Sequence, residues 1–209
     1  MAKASTLPKF IETISRFYTI ALLVQVGIAF QYFGIVVALL IIYLQPPILW
    51  RVVKKFWGQP EGVSYLGTKA KDGNSWWVAF HLQQIFNTFH FFEQFLTLFP
   101  GVYSAWLRLW GSEIGKKVNW TPESRLVDRT HLRIGDRALI GNHSYLAAHA
   151  IKKRGDKYLL YVKAVEVGAD AVLSYRVTLA PGAVVAAGTF VEAGKAVYPN
   201  QMAGEDQDE

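Results

Sequence analysis

Aliphatic side chains recur every six residues through the C-terminal half of this 209-residue chain. One series runs Ile134, Ile140 and Leu146; a second runs Val167, Leu173, Leu179, Val185, Val191 and Val197. The residue after each aliphatic is small at Gly135, Gly141, Ala147, Gly168, Ser174, Ala180 and Ala186. The fourth is small or β-branched at Ala138, Ser144, Ala150, Ala171, Val177, Ala183 and Thr189. Only the hexad of Glu192 and Lys195 departs. A period of six matches neither a 3.6-residue helix nor a simple alternating strand. It suits a triangular coil in which each hexad gives one short strand and one turn. Three hexads, about 18 residues, then close a coil that stacks ~4.8 Å from the next. The aliphatic fills the interior, the small residue lets the wall come close, and glycine permits turn conformations closed to most residues. Lys195 falls where the stack ends and can cap it or reach water.

The register is interrupted once. Leu146 and Val167 are 21 apart where 18 would keep step, and the excess includes Lys152-Lys153-Arg154-Gly155-Asp156-Lys157. A basic loop is therefore expected to leave the coil directly after Leu146-Ala147-Ala148-His149.

The first half has a different constraint. No Asp, Glu, Lys or Arg occurs from Phe17 to Trp50, a run of 34. As one helix it would span roughly 51 Å, against a hydrocarbon core of ~30 Å. Lys9 and Arg16 precede it, and Arg51, Lys54 and Lys55 follow, so the positive-inside tendency favours both ends on the cytoplasmic face. A helical hairpin over 17–50, turning between Gly27 and Gly34, satisfies this; one tilted span ending near Pro46-Pro47 is the alternative. No small-x-small cleavage site follows, as a signal peptide would need. Ser75 to Phe99 is a second apolar stretch whose aromatic load suits the headgroup boundary. Its polar positions Gln83, Gln84, Asn87, His90 and Gln94 recur at helical spacing, so an interfacial helix over 75–99 is expected. Gly58 to Asn74 reads as a loop, and the acidic tail of 201–209 as disordered.

Composition narrows function. The absence of cysteine excludes disulfides, thiolate metal sites and a cysteine nucleophile. A net charge of +6, with the basic residues beside apolar segments, suits an anionic lipid surface rather than nucleic acid. No Walker loop or dinucleotide fingerprint is present.

The repeat over Ile134 to Val197, and more loosely Ile114 to His131, resembles that of the hexapeptide-repeat acyltransferases. Leu126 to Asp136 (LVDRTHLRIGD) looks like the strand entering the sugar and antibiotic O-acetyltransferases of that superfamily. The anchored arrangement looks like the membrane-anchored acyltransferase-like domains associated with peptide and polylysine synthetases. The apolar segments give N-terminal transmembrane or interfacial helices over 1–110, which the resemblance does not cover. For 111–200 the resemblance implies a left-handed parallel β-helix, so the chain is expected to be α+β. It also implies a homotrimer with each active site between two subunits, and an acyl-CoA or acyl-carrier thioester as donor. A synthetase or carrier protein is a possible partner, and the location is the membrane, with the β-helix on the cytoplasmic face.

In the resembled enzymes a histidine near a protruding loop takes the proton from an acceptor hydroxyl or amine as it attacks the thioester. His149, three residues after Leu146, is the first candidate, and His143, the same position one rung earlier, is the second. His131 lies 18 residues before His149, so in an unbroken coil it would stack one layer away; His131 or Asp128 would then orient the base. Many such enzymes place the histidine about two residues further on, where this chain has Ile151. For coenzyme A the resemblance points to Ser174, Tyr175, Arg176, Gly188 and Lys195. Lys152, Lys153 and Arg154 would meet phosphates or anionic lipid. No metal is expected. The γ-class carbonic anhydrases share the fold and use three histidines, but their close pair is five apart, whereas His143 and His149 are six apart. A non-catalytic scaffold subunit of a membrane complex is the alternative from another class.

Overall fold

The computed structural model describes residues 8–66 and 74–204. They divide into two compact units. The first comprises 8–60 and 74–90; the second takes in 61–66 and everything from 91 onward. The boundary thus departs from the division near residue 110 read from the sequence, because strand-forming residues 61–66 and two short helices belong with the repeat.

In the first unit, α1 (Lys9–Ser15) and α2 (Tyr18–Phe33) precede α3 (Ile35–Trp57) and α4 (Ser75–Thr88). Gly34 ends α2 and starts α3 at φ 82°, ψ 179°, a conformation essentially reserved for glycine. The chain doubles back there: the Gln45 amide donates to Gln25 Oε1 at 2.9 Å, across a pair of residues nine before and eleven after Gly34. The helical hairpin is present, and α3 runs through Pro46 and Pro47 instead of ending there. Two lost N–H donors do not stop a helix whose other rungs are intact and whose prolines pack in the interior. Leu22, Ile42, Trp50, Trp76 and Phe86 form the core, while Ile20, Val24, Ile28, Val36 and Ile48 lie on the outside, half or more exposed.

The single helix expected over 75–99 is two. α4 stops at Thr88, and α5 (Phe91–Thr97) begins after a break at Phe89-His90. Nor do the amides form one wet stripe. Gln83 is buried and donates to Ala79 O, whereas Gln94 Oε1 accepts from the Glu123 N–H. Spacing alone does not tell a water-facing amide from one satisfied by the main chain.

The second unit opens with β1 (Gly62–Leu66), which lies in the stretch expected to be a loop; residues 67–73 fall outside the described residues. After α5 and α6 (Val102–Trp110), three parallel sheets wind as a triangular prism. The first coil is β2 (Glu113–Ile114), β3 (Asn119–Trp120) and β4 (Arg125–Leu126), and the second β5 (Leu132–Ile134), β6 (Leu139–Ile140) and β7 (Tyr145–Leu146). An antiparallel arm of β8 (His149–Arg154) and β9 (Lys157–Val162) then projects, with β1 as its third strand in the order β1-β9-β8. Two further coils follow, β10 (Val165–Val167), β11 (Val172–Leu173) and β12 (Thr178–Leu179), then β13 (Val184–Val185), β14 (Phe190–Val191) and β15 (Ala196–Val197). β16 (Met202–Ala203) pairs with β13, so the start of the supposed tail is a strand; residues 205–209 lie outside the described residues.

With the arm strands β8 and β9 set aside, each sheet joins every third strand, in the orders β2-β5-β10-β13-β16, β3-β6-β11-β14 and β4-β7-β12-β15. Leu126, Leu146, Leu179 and Val197 therefore stack in one column, all buried. The loosely patterned residues from Ile114 make a full coil. Three residues after each rung aliphatic the chain turns with positive φ, as at Arg137, His143, Asp170, Arg176, Gly182, Gly188 and Gly194. His149 holds the same place but starts β8 instead. Leu146 to Val167 is thus one hexad plus 15 extruded residues, which corrects the expected coil with a short excess.

Gly141 shows how close the walls approach: a Cβ there would overlap the main-chain oxygens of Leu173 and Ser174. Gly141→Ala is expected to cost about 1–3 kcal/mol through forced backbone movement. Arg176→Gly, which relieves a left-handed turn, should be neutral or raise stability by up to about 1 kcal/mol. Thermal unfolding of the two variants against the parent measures both.

Candidate active site

Both irregularities of the coil fall at one corner of the prism. The step from Leu126 to Ile134 is eight residues rather than six, and that from Leu146 to Val167 is 21. The first makes a bulge, Asp128-Arg129-Thr130-His131, every residue of which is about 1% exposed. The second is the arm. At their junction His149 Nδ1 lies 2.7 Å from Asp128 Oδ2, which also accepts the Ala148 N–H at 2.9 Å. An ionised carboxylate only accepts, so Nδ1 carries the hydrogen and the lone pair of the neutral ring resides on Nε2. The Asp128 side chain is buried, while that of His149 keeps 17% of its surface accessible. A histidine oriented by a carboxylate, with the second nitrogen basic, is the arrangement of a general base.

His131 does not occupy the place predicted for it. β4 and β7 pair Leu126 with Leu146, an offset of 20 rather than 18. That offset puts Arg129 in step with His149. His131 is buried, with Nδ1 2.7 Å from Thr130 Oγ1. His143 sits at a different corner, exposed in a left-handed turn and edge-on to the Tyr175 ring at 5.6 Å between centroids. Among the described residues no three of His, Asp and Glu converge as a metal site would need.

The residues assigned to the donor divide between corners. Tyr175 and Arg176 share the corner of His143: the Arg176 N–H donates to Asn142 O, and its guanidinium lies 5.0 Å from the Tyr175 ring centroid. Ser174 precedes them in the same turn, and Lys195, exposed beside Glu192 at 3.6 Å, follows Gly194, whose N–H bonds Tyr175 O. Gly188 belongs to the third corner, bonded to Ala169 O. Lys152, Lys153 and Arg154 are exposed along β8. Within one chain, then, the donor candidates do not gather around His149.

Three groups were not singled out from the sequence. Tyr145 is 43% exposed, and desolvation of its covered part together with the Asp128 charge pushes its phenol pKa up. Glu93 forms a buried ion pair with Arg129 of the bulge. The available signal was that Glu93 is the only charge between Ser75 and Phe99.

No family model matches this chain, and no curated protein does. Among solved structures, a hexapeptide-repeat-containing acetyltransferase from Vibrio cholerae, complexed with acetyl coenzyme A, is 18% identical at a TM-score of 0.35, over 48% of this chain and 69% of its own. A second structure of the same Vibrio cholerae acetyltransferase gives 16% identity and a TM-score of 0.32, over 56% of this chain and 85% of its own. A maltose O-acetyltransferase from Clostridium difficile 630 gives 15% and 0.26, over 49% and 69%. At these values the likenesses bear on neither fold nor activity, and the coil is established by its own strand register.

Removing the Asp128 carboxylate leaves the Ala148 N–H without its acceptor and His149 without its orienting partner. Asp128→Ala should therefore lower the unfolding free energy by about 1–3 kcal/mol, read by denaturant titration.

Proposed function

We propose that the chain is a membrane-associated acyltransferase in which His149 is the general base. The observation that carries this is the His149–Asp128 contact at the base of the arm, where a buried carboxylate sets the ring's tautomer. His149 Nε2 takes the proton of an acceptor hydroxyl or amine as that atom attacks the carbonyl carbon of an acyl thioester. The C–S bond breaks, the acyl group passes to the acceptor, and the proton returns to the departing thiolate. No covalent intermediate on the protein is required. The donor is an acyl-CoA or a carrier-protein thioester, acetyl in the simplest case, and the coil winds left-handed as in the resembled transferases.

The membrane reading is supported by α3, 23 residues long, which contains an 18-residue window of mean hydropathy 1.9 with only 28% of that window buried. α1 and α2 together pass the same test only as a pair bent by 51°. Apolar side chains turned outward on α2 and α3 find a low-energy environment in lipid. Basic residues flank both ends, which favours a helical hairpin with the coil on the cytoplasmic face. The acceptor is then an amphiphile met at the bilayer surface, and Lys152, Lys153 and Arg154 suit phosphates of donor or lipid. A homotrimer would bring the Tyr175–Arg176 corner of one copy toward the His149 corner of another, which accounts for donor candidates that lie apart within a single chain. Association with a synthetase or carrier protein belongs to the same proposal.

The test is transfer from labelled acetyl-CoA to a panel of amphiphilic amines and alcohols by the full chain in lipid nanodiscs. His149→Ala is expected to lower turnover on the order of 10²–10⁴-fold, with His143→Ala near the parent. Unchanged turnover in His149→Ala rejects the base assignment, and loss confined to His143→Ala transfers it. If titration calorimetry finds neither coenzyme A nor acyl carrier bound, the scaffold reading stands instead.

A further inference from the structure

We infer that the buried Glu93–Arg129 pair is a positioning device for the proposed base, holding the 128–131 bulge so that Asp128 stays aimed at His149. The inference rests on the acyltransfer reading for its kinetic consequence alone.

Four consecutive polar residues buried in a corner bulge are costly unless each is partnered. Arg129 meets Glu93 as a planar fork, Nε donating to Oε1 at 2.9 Å and Nη2 to Oε2 at 2.5 Å. Tyr103 OH donates to the same Oε1 at 2.6 Å. Burial and the adjoining carboxylate hold that phenol protonated well above its usual range, so the donor persists. The main chain of Arg129 is fixed as well: Ser112 Oγ donates to Arg129 O at 2.7 Å and accepts the Leu132 N–H at 3.0 Å. Glu93 stands on α5 and Tyr103 on α6, so two helices reach one residue of the coil. That residue is covalently next to Asp128, with Cα atoms ~3.8 Å apart. A movement of Arg129 is therefore transmitted to the carboxylate that His149 contacts.

Stability alone is a weak reason for such a pair. An apolar couple of equal volume is often no worse, because desolvation offsets the attraction. What the ions add is direction: a bidentate fork defines both the position and the plane of its partner, which an aliphatic contact does not. The two-residue insertion that breaks the hexad register is then the means of lifting Asp128 into the corner, and Glu93 is what keeps it there.

The experiment uses the full chain in nanodiscs and reads the histidine ring nitrogens by ¹⁵N NMR, with the His149 signals assigned by their loss in His149→Ala. In the parent the Nδ1–H tautomer is expected for His149. Arg129→Lys keeps the charge but removes the fork; Tyr103→Phe keeps the ring but removes one donor to Glu93. Both should mix the His149 tautomers, Arg129→Lys more than Tyr103→Phe. Acetyl transfer should show kcat reduced on the order of 10- to 10²-fold with KM for acetyl-CoA within about twofold. A lowered melting temperature with the parental tautomer retained in both variants overturns the proposal, leaving the pair merely structural. If Arg129→Lys does not fold, the tautomer in Tyr103→Phe decides by itself. If the parent transfers no acetyl group, the ring measurement still decides whether the pair positions His149, while the acyltransfer reading fails separately.

Discussion

Main-chain pairing between successive coils is the constraint on which the C-terminal unit depends. Once Val167 pairs with Val185 and Leu173 with Val191, each wall repeats every 18 residues, and strand and turn positions follow. A wall built this way cannot absorb an extra residue without shifting every aliphatic out of the interior. Insertions are therefore expelled at a corner. Two occur, of two and fifteen residues, and both emerge at the same corner one coil apart. The proposed site is the place where the two expelled segments meet.

That origin explains why the corner is polar. A regular turn needs only a left-handed residue and a few main-chain bonds, and most such turns here are exposed. The bulge instead folds inward against α5 and α6, so its side chains are sealed from water. They can be sealed only because each finds a partner: Asp128 the arm, Arg129 Glu93, and Thr130 His131. Buried polar groups joined in this manner lose far more by the removal of one member than a surface pair would.

Much of the architecture was legible in the sequence because burial imposes a period on it. The six-residue step identified the coil, and the uncharged run identified the helical pair that turns at Gly34. Strand β1 was not legible, since Gly62 to Leu66 has no partner nearby in sequence and becomes a strand only by pairing with β9. The break at His90 was hidden for the opposite reason: Ser75 to Phe99 keeps helical spacing across it, and the division is set by which unit each half packs in.

The sequence by itself determined that 134–197 would stack in sixes and that the chain would leave the coil after Leu146, because an aliphatic buried at every sixth position leaves few alternatives. It also marked His149 and Asp128 as candidates. Tertiary structure decided which partner stands beside His149. A counted offset of 18 left His131 and Asp128 both open, whereas the true offset of 20, created by the bulge, goes with Asp128 beside His149 and Arg129 paired with a glutamate 36 residues earlier. Hydrophobic periodicity is a local property that the order of residues records, but the register between coils and the neutralisation of a buried charge are settled between distant segments, and so appear only when the chain has folded.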